Sequence, residues 1–265
     1  MTPATAKQVS GAAKLAKKES RSQTGLFLLE GPQGLKEALA HPELVVEIFV
    51  TPEAALSHPE LYSTADSLGI RLLEATGKQI KTISDTVHPQ GIVTVCRQLD
   101  VDLDAVFSAS PKLLVVLSQV RDPGNAGTVL RAADAAGADA VIFSEESVDP
   151  YNPKVVRSTT GSLFHLPIVL GASLAEVSNR CKNAGIQLFA ATADGESLTD
   201  LGIQLLSQPT AWLFGNEARG LSSGERALAN REVAVPIYGS AESLNLATAA
   251  SVCIYASAMA QRGNG

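Results

Sequence analysis

The sequence predicts an α/β protein: a mostly parallel sheet with helices on both faces, preceded by a smaller layered α/β unit. Over residues 112–262, short apolar runs alternate with stretches of helical length, the pattern of parallel strands joined by helical crossovers. The first of these runs, "KLLVVLSQV", is continuously apolar, as a strand covered on both faces is. Residues 23–98 repeat the alternation on a smaller scale. Between the two, "LDVDLDAVFSASPKL" (99–113) shifts to acids, serines and a proline with weak periodicity. A domain boundary is therefore expected near 100–111, giving an N-terminal unit over 1–100 and a larger one over 111–265.

In the first unit, "GLFLLEG" (25–31) reads as a strand, "PQGLKEALAH" (32–41) as a helix and "VVEIFVT" (45–51) as a strand. A helical stretch from about 53 to 66 follows, then the strand "IRLLEAT" (70–76), a short helix before Thr86, and the strand "QGIVTVCRQ" (90–98). In the second unit, "KLLVVLSQV" (112–120) leads through the turn "RDPGN" into the helix "AGTVLRAADAAG". "ADAVIFS", "LPIVL", "IQLFAAT", "PTAWLFG" and "REVAVPI" are further strands. The helices between them are "NPKVVRSTTGSLF", "SLAEVSNRCKNAG" closed by Gly185, and the short "SSGERALAN"; a last helix spans 245–262.

Composition narrows the function classes. At 265 residues and 45% hydrophobic, the chain is expected to bury a substantial core. No apolar run approaches the ~18–20 residues a membrane span needs, and the lysine-bearing N-terminus lacks the apolar segment of a secretory signal. Cys96, Cys181 and Cys253 are widely spaced, with no CxxC and no clustered histidines, which argues against a disulfide framework or a zinc site and for a reducing cytoplasm. A net charge of −6 counts mildly against a nucleic-acid binder. The charge is uneven, however: residues 1–22 hold Lys7, Lys14, Lys17, Lys18 and Arg21 against only Glu19. That segment reads equally as a solvated amphipathic helix or as a basic arm on phosphates.

In open parallel sheets, ligands bind beyond the carboxyl ends of the strands. Three such ends carry polar and glycine residues: "SQVRDPGNAGTVLR" (118–131), "LFGNEARGL" (213–221) and "VPIYGSAESLNLA" (235–247). Gly215 and Gly220 stand in Walker spacing, but Leu221-Ser222 replace the Lys-Ser/Thr that reaches phosphates. No GxGxxG opens any helix, so a standard dinucleotide site is unsupported, and "DPGNAG" is a poor version of the class I methyltransferase loop. Asn125 is a plausible N-cap, and Gly127 permits close approach of a backbone or ligand. Arg131 either pairs with Asp134 three residues on or serves a site. Glu217 either caps a short helix or faces a ligand with Arg219, and Ser243 is either an N-cap, with Asn245 in the first turn, or a site residue. The last helix is almost all small residues, suited to burial against its own sheet or to close packing on a second copy or a crossing segment.

Taken together, "DPGNAGTVLRAA", "LFGNEARGLS" and "VPIYGSAESLNLATAASVCIY" make residues 112–262 resemble the SpoU/TrmH branch of the SPOUT RNA 2'-O-ribose methyltransferases. They match its N-x-G-x-x-x-R, G-N/S-E-x-x-G and P-M/I-x-G-x-x-x-S-L-N-x-S/A motifs, in order and at strand ends. Residues 23–98 look like the ribosomal-protein-like substrate-binding domain often fused ahead of it. The resemblance implies a trefoil knot, a rare exception to ordinary topology, and a homodimer packed through that region. It implies S-adenosylmethionine as cofactor, held by Thr192, Gly215, Val235, Ile237 and Leu244, mostly by main chain and apolar contact. Arg131 would prepare the ribose 2'-hydroxyl, as an unusual proton acceptor or by stabilising the developing alkoxide. Asn125, Glu217, Ser243 and Asn245 would orient the hydroxyl, the phosphate and Arg131, while Arg157 and Arg219 would hold substrate. No metal is implied, because a sulfonium is already a good leaving group. Structured RNA is the implied partner, with ribosomal RNA favoured over tRNA through the fused domain. A tRNA methyltransferase, a non-catalytic RNA-binding relative and a base-nitrogen methylase are the alternatives.

Overall fold

A computed structural model describes residues 1–263, which gather into two compact units. The first joins Met1–Leu99 with Asp149–Phe164; the second joins Asp100–Val148 with residues 165–263.

The first unit runs β1 (Thr2–Pro3), α1 (Ala6–Lys14), α2 (Lys18–Thr24), β2 (Leu26–Glu30), α3 (Gly31–Ala38) and β3 (Val45–Val50). It continues through α4 (Pro52–Ser57), α5 (Pro59–Ser67), β4 (Arg71–Glu74), α6 (Gly77–Ile83) and β5 (Ile92–Arg97). The sheet order is β1-β4-β3-β5-β2, with β5 antiparallel to both β2 and β3 and the other pairs parallel. The four expected strands are present, and the two-residue β1 is added at one edge. The expected helix over 53–66 is two helices, because Pro59 opens a new one and cannot continue the old.

Of the two readings of the N-terminal segment, the amphipathic helix is the one present, its lysines exposed and its apolar face buried in the first unit's core. Thr5 and Gln8 form a capping box at the start of α1, and Val9, Ala12 and Leu15 enter a core with Leu28, Phe49 and Leu73. Lys7, Lys14, Lys17 and Lys18 stay exposed. Arg21 is buried instead. Its Nε and Nη2 reach Asp149 Oδ2 at 2.8 and 2.6 Å, and its Nη1 donates to the Leu15 and Ala16 carbonyls at 2.8 and 2.9 Å.

The second unit contains α7 (Leu103–Ser108), β6 (Leu113–Leu117), α8 (Pro123–Ala136) and β7 (Ala140–Ser144). Residues 149–164, with α9 (Pro153–Thr159), belong to the first unit: the Tyr151 ring packs tilted against Phe27 with centroids 5.0 Å apart, and its hydroxyl accepts the Leu99 N–H at 2.8 Å. The second unit resumes with β8 (Ile168–Ala172), α10 (Leu174–Ala184), β9 (Gln187–Ser197), α11 (Ile203–Leu206) and β10 (Thr210–Phe214). It ends with α12 (Ser223–Arg226), β11 (Arg231–Ala234) and α13 (Leu246–Arg262).

All six expected strands are there, ordered β11-β9-β10-β6-β7-β8 and parallel throughout. The stretch at 99–113 contains a helix: Asp102 caps α7, and Leu103 and Val106 join Val177 and Cys181 in the core. One face of α13, including Ala250, Cys253, Ile254 and Ser257, is buried against α8 and β10, where the Trp212 indole N–H donates to Ser257 Oγ at 2.9 Å. Burial against its own sheet therefore explains the small residues on that face. The other face exposes Val252, Tyr255 and Met259.

Cys96, Cys181 and Cys253 are buried and unpaired, and burial pushes each thiol up to about 12. Among the described residues, no helix is long and apolar enough to cross a membrane.

Candidate active site

Three strand-end loops of the second unit converge on one hydrogen-bonded chain. The first leaves β6 through Ser118, whose N–H donates to the Phe214 carbonyl at 2.7 Å and so continues the ladder one residue past the strand. Gln119 then adopts a left-handed backbone with φ 49°, uncommon for a residue with a side chain. It is held from two sides: its N–H donates to Ser144 Oγ at 3.0 Å, and its carbonyl accepts from Asn216 Nδ2 at 2.8 Å. The loop then enters α8. Asp122, not Asn125, is the N-cap, its carboxylate accepting the Asn125 N–H at 2.7 Å. Asx residues stand at both positions, and Pro123 at the first helical position decides the frame.

The second loop leaves β10 as a tight hairpin. Asn216 and Gly220 exchange backbone hydrogen bonds at 3.2 and 2.8 Å, and Asn216 Oδ1 accepts the Ala218 and Arg219 N–H groups at 3.0 and 3.4 Å. Gly215 makes this possible. A Cβ there would lie 2.5 Å from the Gly220 carbonyl carbon and 2.6 Å from Leu221 N, so the glycine serves the chain's own backbone crossing. The hairpin presents Glu217, whose carboxylate accepts the Arg121 and Asp122 N–H groups at 3.1 and 3.0 Å and Asn125 Nδ2 at 3.4 Å.

The third loop precedes α13. Asn245, rather than Ser243, caps the helix, accepting the Ala247 and Thr248 N–H groups at 2.9 and 3.4 Å. Its Nδ2 donates to Asn125 Oδ1 at 2.9 Å. Glu217, Asn125 and Asn245 thus form a continuous chain that ties the three loops together. Every polar atom of Asn125 in this chain points to another member, which makes it a positioning group.

Two expected site residues stand outside that chain with their polar groups unengaged. Arg131 is exposed on α8 and makes no hydrogen bond or ion pair among the described residues. Its alternative partner is taken: Asp134 meets His165 Nδ1 at 2.8 Å. Ser243 is exposed on the loop before Asn245. Arg219 is exposed, with its guanidinium against the Gln119 side-chain oxygen. Arg157 lies in the first unit, where it binds Asp85 Oδ2 at 2.8 Å and Glu30 Oε1 at 3.3 Å.

Of the residues expected to hold a cofactor, Thr192 lies within β9, Gly215 and Val235 directly follow β10 and β11, and Ile237 and Leu244 lie on the segment before α13. Thr192 Oγ1 is buried with no hydrogen-bond partner among the described residues, a costly state that a ligand atom would relieve. Gly215 is buried, Val235 half-buried, and Ile237 and Leu244 are 38% and 37% exposed. An orphaned hydroxyl and exposed aliphatic groups are chemistry that fits a small amphipathic molecule such as S-adenosylmethionine.

Sequence reasoning missed Gln119, Ser118 and Glu225. Gln119 carries no signal, because a left-handed backbone at a non-glycine residue has no sequence mark. Ser118 Oγ donates to Glu225, which also takes the Ser222 N–H and hydroxyl, both at 2.7 Å. Burial would raise the Glu225 carboxyl; the hydrogen bonds from Ser118 and Ser222 outweigh it and hold the group below the usual carboxylate range.

Residues 112–255 match the SpoU rRNA Methylase family, and residues 6–94 match the MRM3-like substrate binding domain. The chain is similar to the Bacillus subtilis 23S rRNA (guanosine(2553)-2'-O)-methyltransferase RlmP, with 33% identity covering 91% of this chain and 92% of that one. It is also 33% identical to the 23S rRNA (uridine(2479)-2'-O)-methyltransferase of Streptomyces viridochromogenes, covering 96% and 89%. Among solved structures, the S. viridochromogenes SpoU methyltransferase AviRb in complex with AdoMet superposes with a TM-score of 0.83 at 30% identity, covering 98% of this chain and all of that one.

Proposed function

The chain belongs to the SpoU rRNA methylase family, and from that membership we propose that it methylates a ribose 2'-hydroxyl of structured ribosomal RNA with S-adenosylmethionine. The observation that carries this reading is the Glu217–Asn125–Asn245 chain, which joins the loops of all three family motifs.

When bound, the cofactor supplies an electrophilic methyl group on a sulfonium. This chain's own task would be to hold the ribose 2'-hydroxyl against that methyl group while its proton passes to water. Arginine's pKa above ~12 makes Arg131 a poor base. Its task in this scheme is to hold the developing alkoxide by charge and hydrogen bonds. Ser243 contacts the hydroxyl or the neighbouring phosphate. Glu217, Asn125 and Asn245 fix the loops that place these two groups. Thr192, Gly215, Val235, Ile237 and Leu244 would hold the cofactor, the glycine contributing main chain only.

Arg219 takes substrate phosphate in the second unit; in the first, the exposed lysines of α1 and α2 offer phosphate contacts of their own. Arg157, also in the first unit, exchanges Glu30 and Asp85 for phosphate. A local basic surface on a chain of net charge −6 suits an RNA partner. Ribosomal RNA is favoured over tRNA because both named relatives act on 23S rRNA. One acts on guanosine and the other on uridine, so the reading leaves the base free.

The proposal includes a homodimer through α13. Val252, Tyr255 and Met259 recur at i, i+3 and i+7, an exposed apolar stripe suited to a second copy. It also includes a knotted crossing of the segment between β11 and α13, and a cytoplasmic location in keeping with three unpaired thiols.

Mapping 2'-O-methyl positions in total RNA from cells with and without the gene tests the function. One ribosomal ribose losing its methyl group, restored by purified protein and S-adenosylmethionine, is the expected result. Unchanged ribose methylation would overturn it.

A further inference from the structure

Strand β9 does not follow β11 continuously. Ala190 pairs with Glu232 and Glu196 with Val233, so residues 191–195 leave the ladder while β11 advances by one residue. Thr192, with its buried and unpartnered hydroxyl, lies inside this excursion.

The far side of the excursion is fastened at two adjacent residues. Gly195 presses its backbone onto β11: a Cβ there would lie 2.5 Å from Glu232 C and 2.6 Å from Val233 N. Asp194 receives two hydrogen bonds from Arg226 Nη2, at 3.0 and 2.9 Å. The same guanidinium donates through Nε to Glu232 at 2.5 Å. Arg226 therefore bridges the excursion to the β11 residue that marks where it begins. Its neighbour Glu225 is anchored to Ser118 at the end of β6. The clamp is built on a support shared with the first motif loop.

Stability does not account for this arrangement. The Asp194, Arg226 and Glu232 side chains are 67%, 31% and 36% exposed, and pairs so open to water contribute little to folding. What a two-armed guanidinium supplies is fixed geometry, through a planar fork that lysine lacks.

We propose that Arg226 is a positioning residue for cofactor binding: by bridging Asp194 and Glu232, it holds the β9 excursion so that the Thr192 hydroxyl meets S-adenosylmethionine. This rests on the reading of Thr192 as a cofactor contact.

Full-length Arg226→Ala, Arg226→Lys, Asp194→Asn and Thr192→Val proteins test it by calorimetry with S-adenosylmethionine, alongside thermal unfolding and amide hydrogen exchange without cofactor. Arg226→Ala is expected to weaken binding roughly ten- to a hundredfold, the scale of a misplaced contact. Its KM for the cofactor should rise while kcat at saturation stays within about twofold, the pattern of lost ground-state binding. Asp194→Asn should weaken binding in the same direction, and Arg226→Lys should recover only part of the loss. Exchange at residues 191–195 should speed up in Arg226→Ala with the thermal midpoint little changed. Thr192→Val should cost affinity in the parent protein and nothing further in the Arg226→Ala background, because the hydroxyl is already misplaced. Parent-level affinity in both Arg226→Ala and Asp194→Asn, or fully additive losses with Thr192→Val, overturns the clamp. A parent protein that fails to bind S-adenosylmethionine overturns the functional reading, and the clamp with it. Binding by the parent that Thr192→Val leaves intact overturns the clamp alone.

Discussion

Asn245 donates to the Asn125 side-chain oxygen at 2.9 Å across 120 residues of sequence, and Asn125 passes the connection to Glu217 at 3.4 Å. Asn125 is therefore a donor on one side and an acceptor on the other, a pairing that an amide supplies and a carboxylate does not. Asn125→Asp should harm methyl transfer more than Asn125→Ala, because it keeps the acceptor but sets a second carboxylate against Glu217. Single-turnover assays of the two folded variants decide this. Equal rates would mean the amide only fills space.

Arg131 offers a cleaner separation of chemistry from stability. With Asp134 engaged by His165, removing Arg131 breaks no ion pair among the described residues. Arg131→Ala and Arg131→Lys should change stability by no more than about 0.5 kcal/mol, as exposed substitutions do. Methyl transfer should nonetheless fall by about a hundredfold or more, the cost of losing a transition-state donor. A loss below threefold in single-turnover measurements would remove Arg131 from the mechanism.

How much of this was legible follows from the range of each interaction. Strands β6, β7 and β10 of the second sheet announce themselves as apolar runs such as Leu113–Leu117, because burial on both faces leaves no room for alternation. Thr2–Pro3 is too short to carry any pattern. Val9, Ala12 and Leu15 show a helical spacing among the lysines, but not the core with Leu28 and Phe49 that this face enters. Arg21 reads as one more basic residue because its partner Asp149 lies 128 positions away. The motifs pointed to Asn125, Glu217 and Asn245, but not to the hydrogen bonds among them. The excursion at 191–195 is invisible in "TADGES", since a register shift depends on the neighbouring strand.

Gly215 illustrates a residue legible in identity and not in reason. The expected role was space for a ligand; the structure shows the Gly220–Leu221 backbone within 2.7 Å of a Cβ at that position. Gly215→Ala should therefore destabilise the second unit by about 1–3 kcal/mol, the usual cost of overpacking, even without cofactor. A thermal midpoint equal to the parent's, with cofactor affinity alone reduced, would restore the ligand-space explanation.

Arg21 and Asp149 form an ion pair whose side chains are 2% and 10% exposed. Arg21→Met should cost about 3–5 kcal/mol, because it strands a buried carboxylate. The double variant Arg21→Met/Asp149→Leu should recover most of that loss. Urea unfolding of the three proteins measures it, and an unrecovered double variant would show that the bonds from Arg21 to the Leu15 and Ala16 carbonyls dominate. Deleting residues 1–99 is a poorer experiment, since Tyr151, Val155 and Leu163, all fully buried, lose the unit they pack in.

The three thiols give a pH dependence with a definite sign. Burial raises Cys96, Cys181 and Cys253 to about 12 from 9.0, so the folded state holds these protons more tightly than the unfolded chain. Their contribution is fully present below pH 9.0 and is lost as pH rises toward 12. Unfolding midpoints in urea should accordingly decline above pH 9.0. At neutral pH the reactive thiolate is scarce as well as shielded. A thiol reagent should therefore label the native protein only as fast as local opening exposes each site, and label all three cysteines rapidly in denaturant. Mass spectrometry of a timed labelling series reads both outcomes. Immediate modification of Cys253 in the native protein would show that α13 opens far more readily than its packing against α8 and β10 implies.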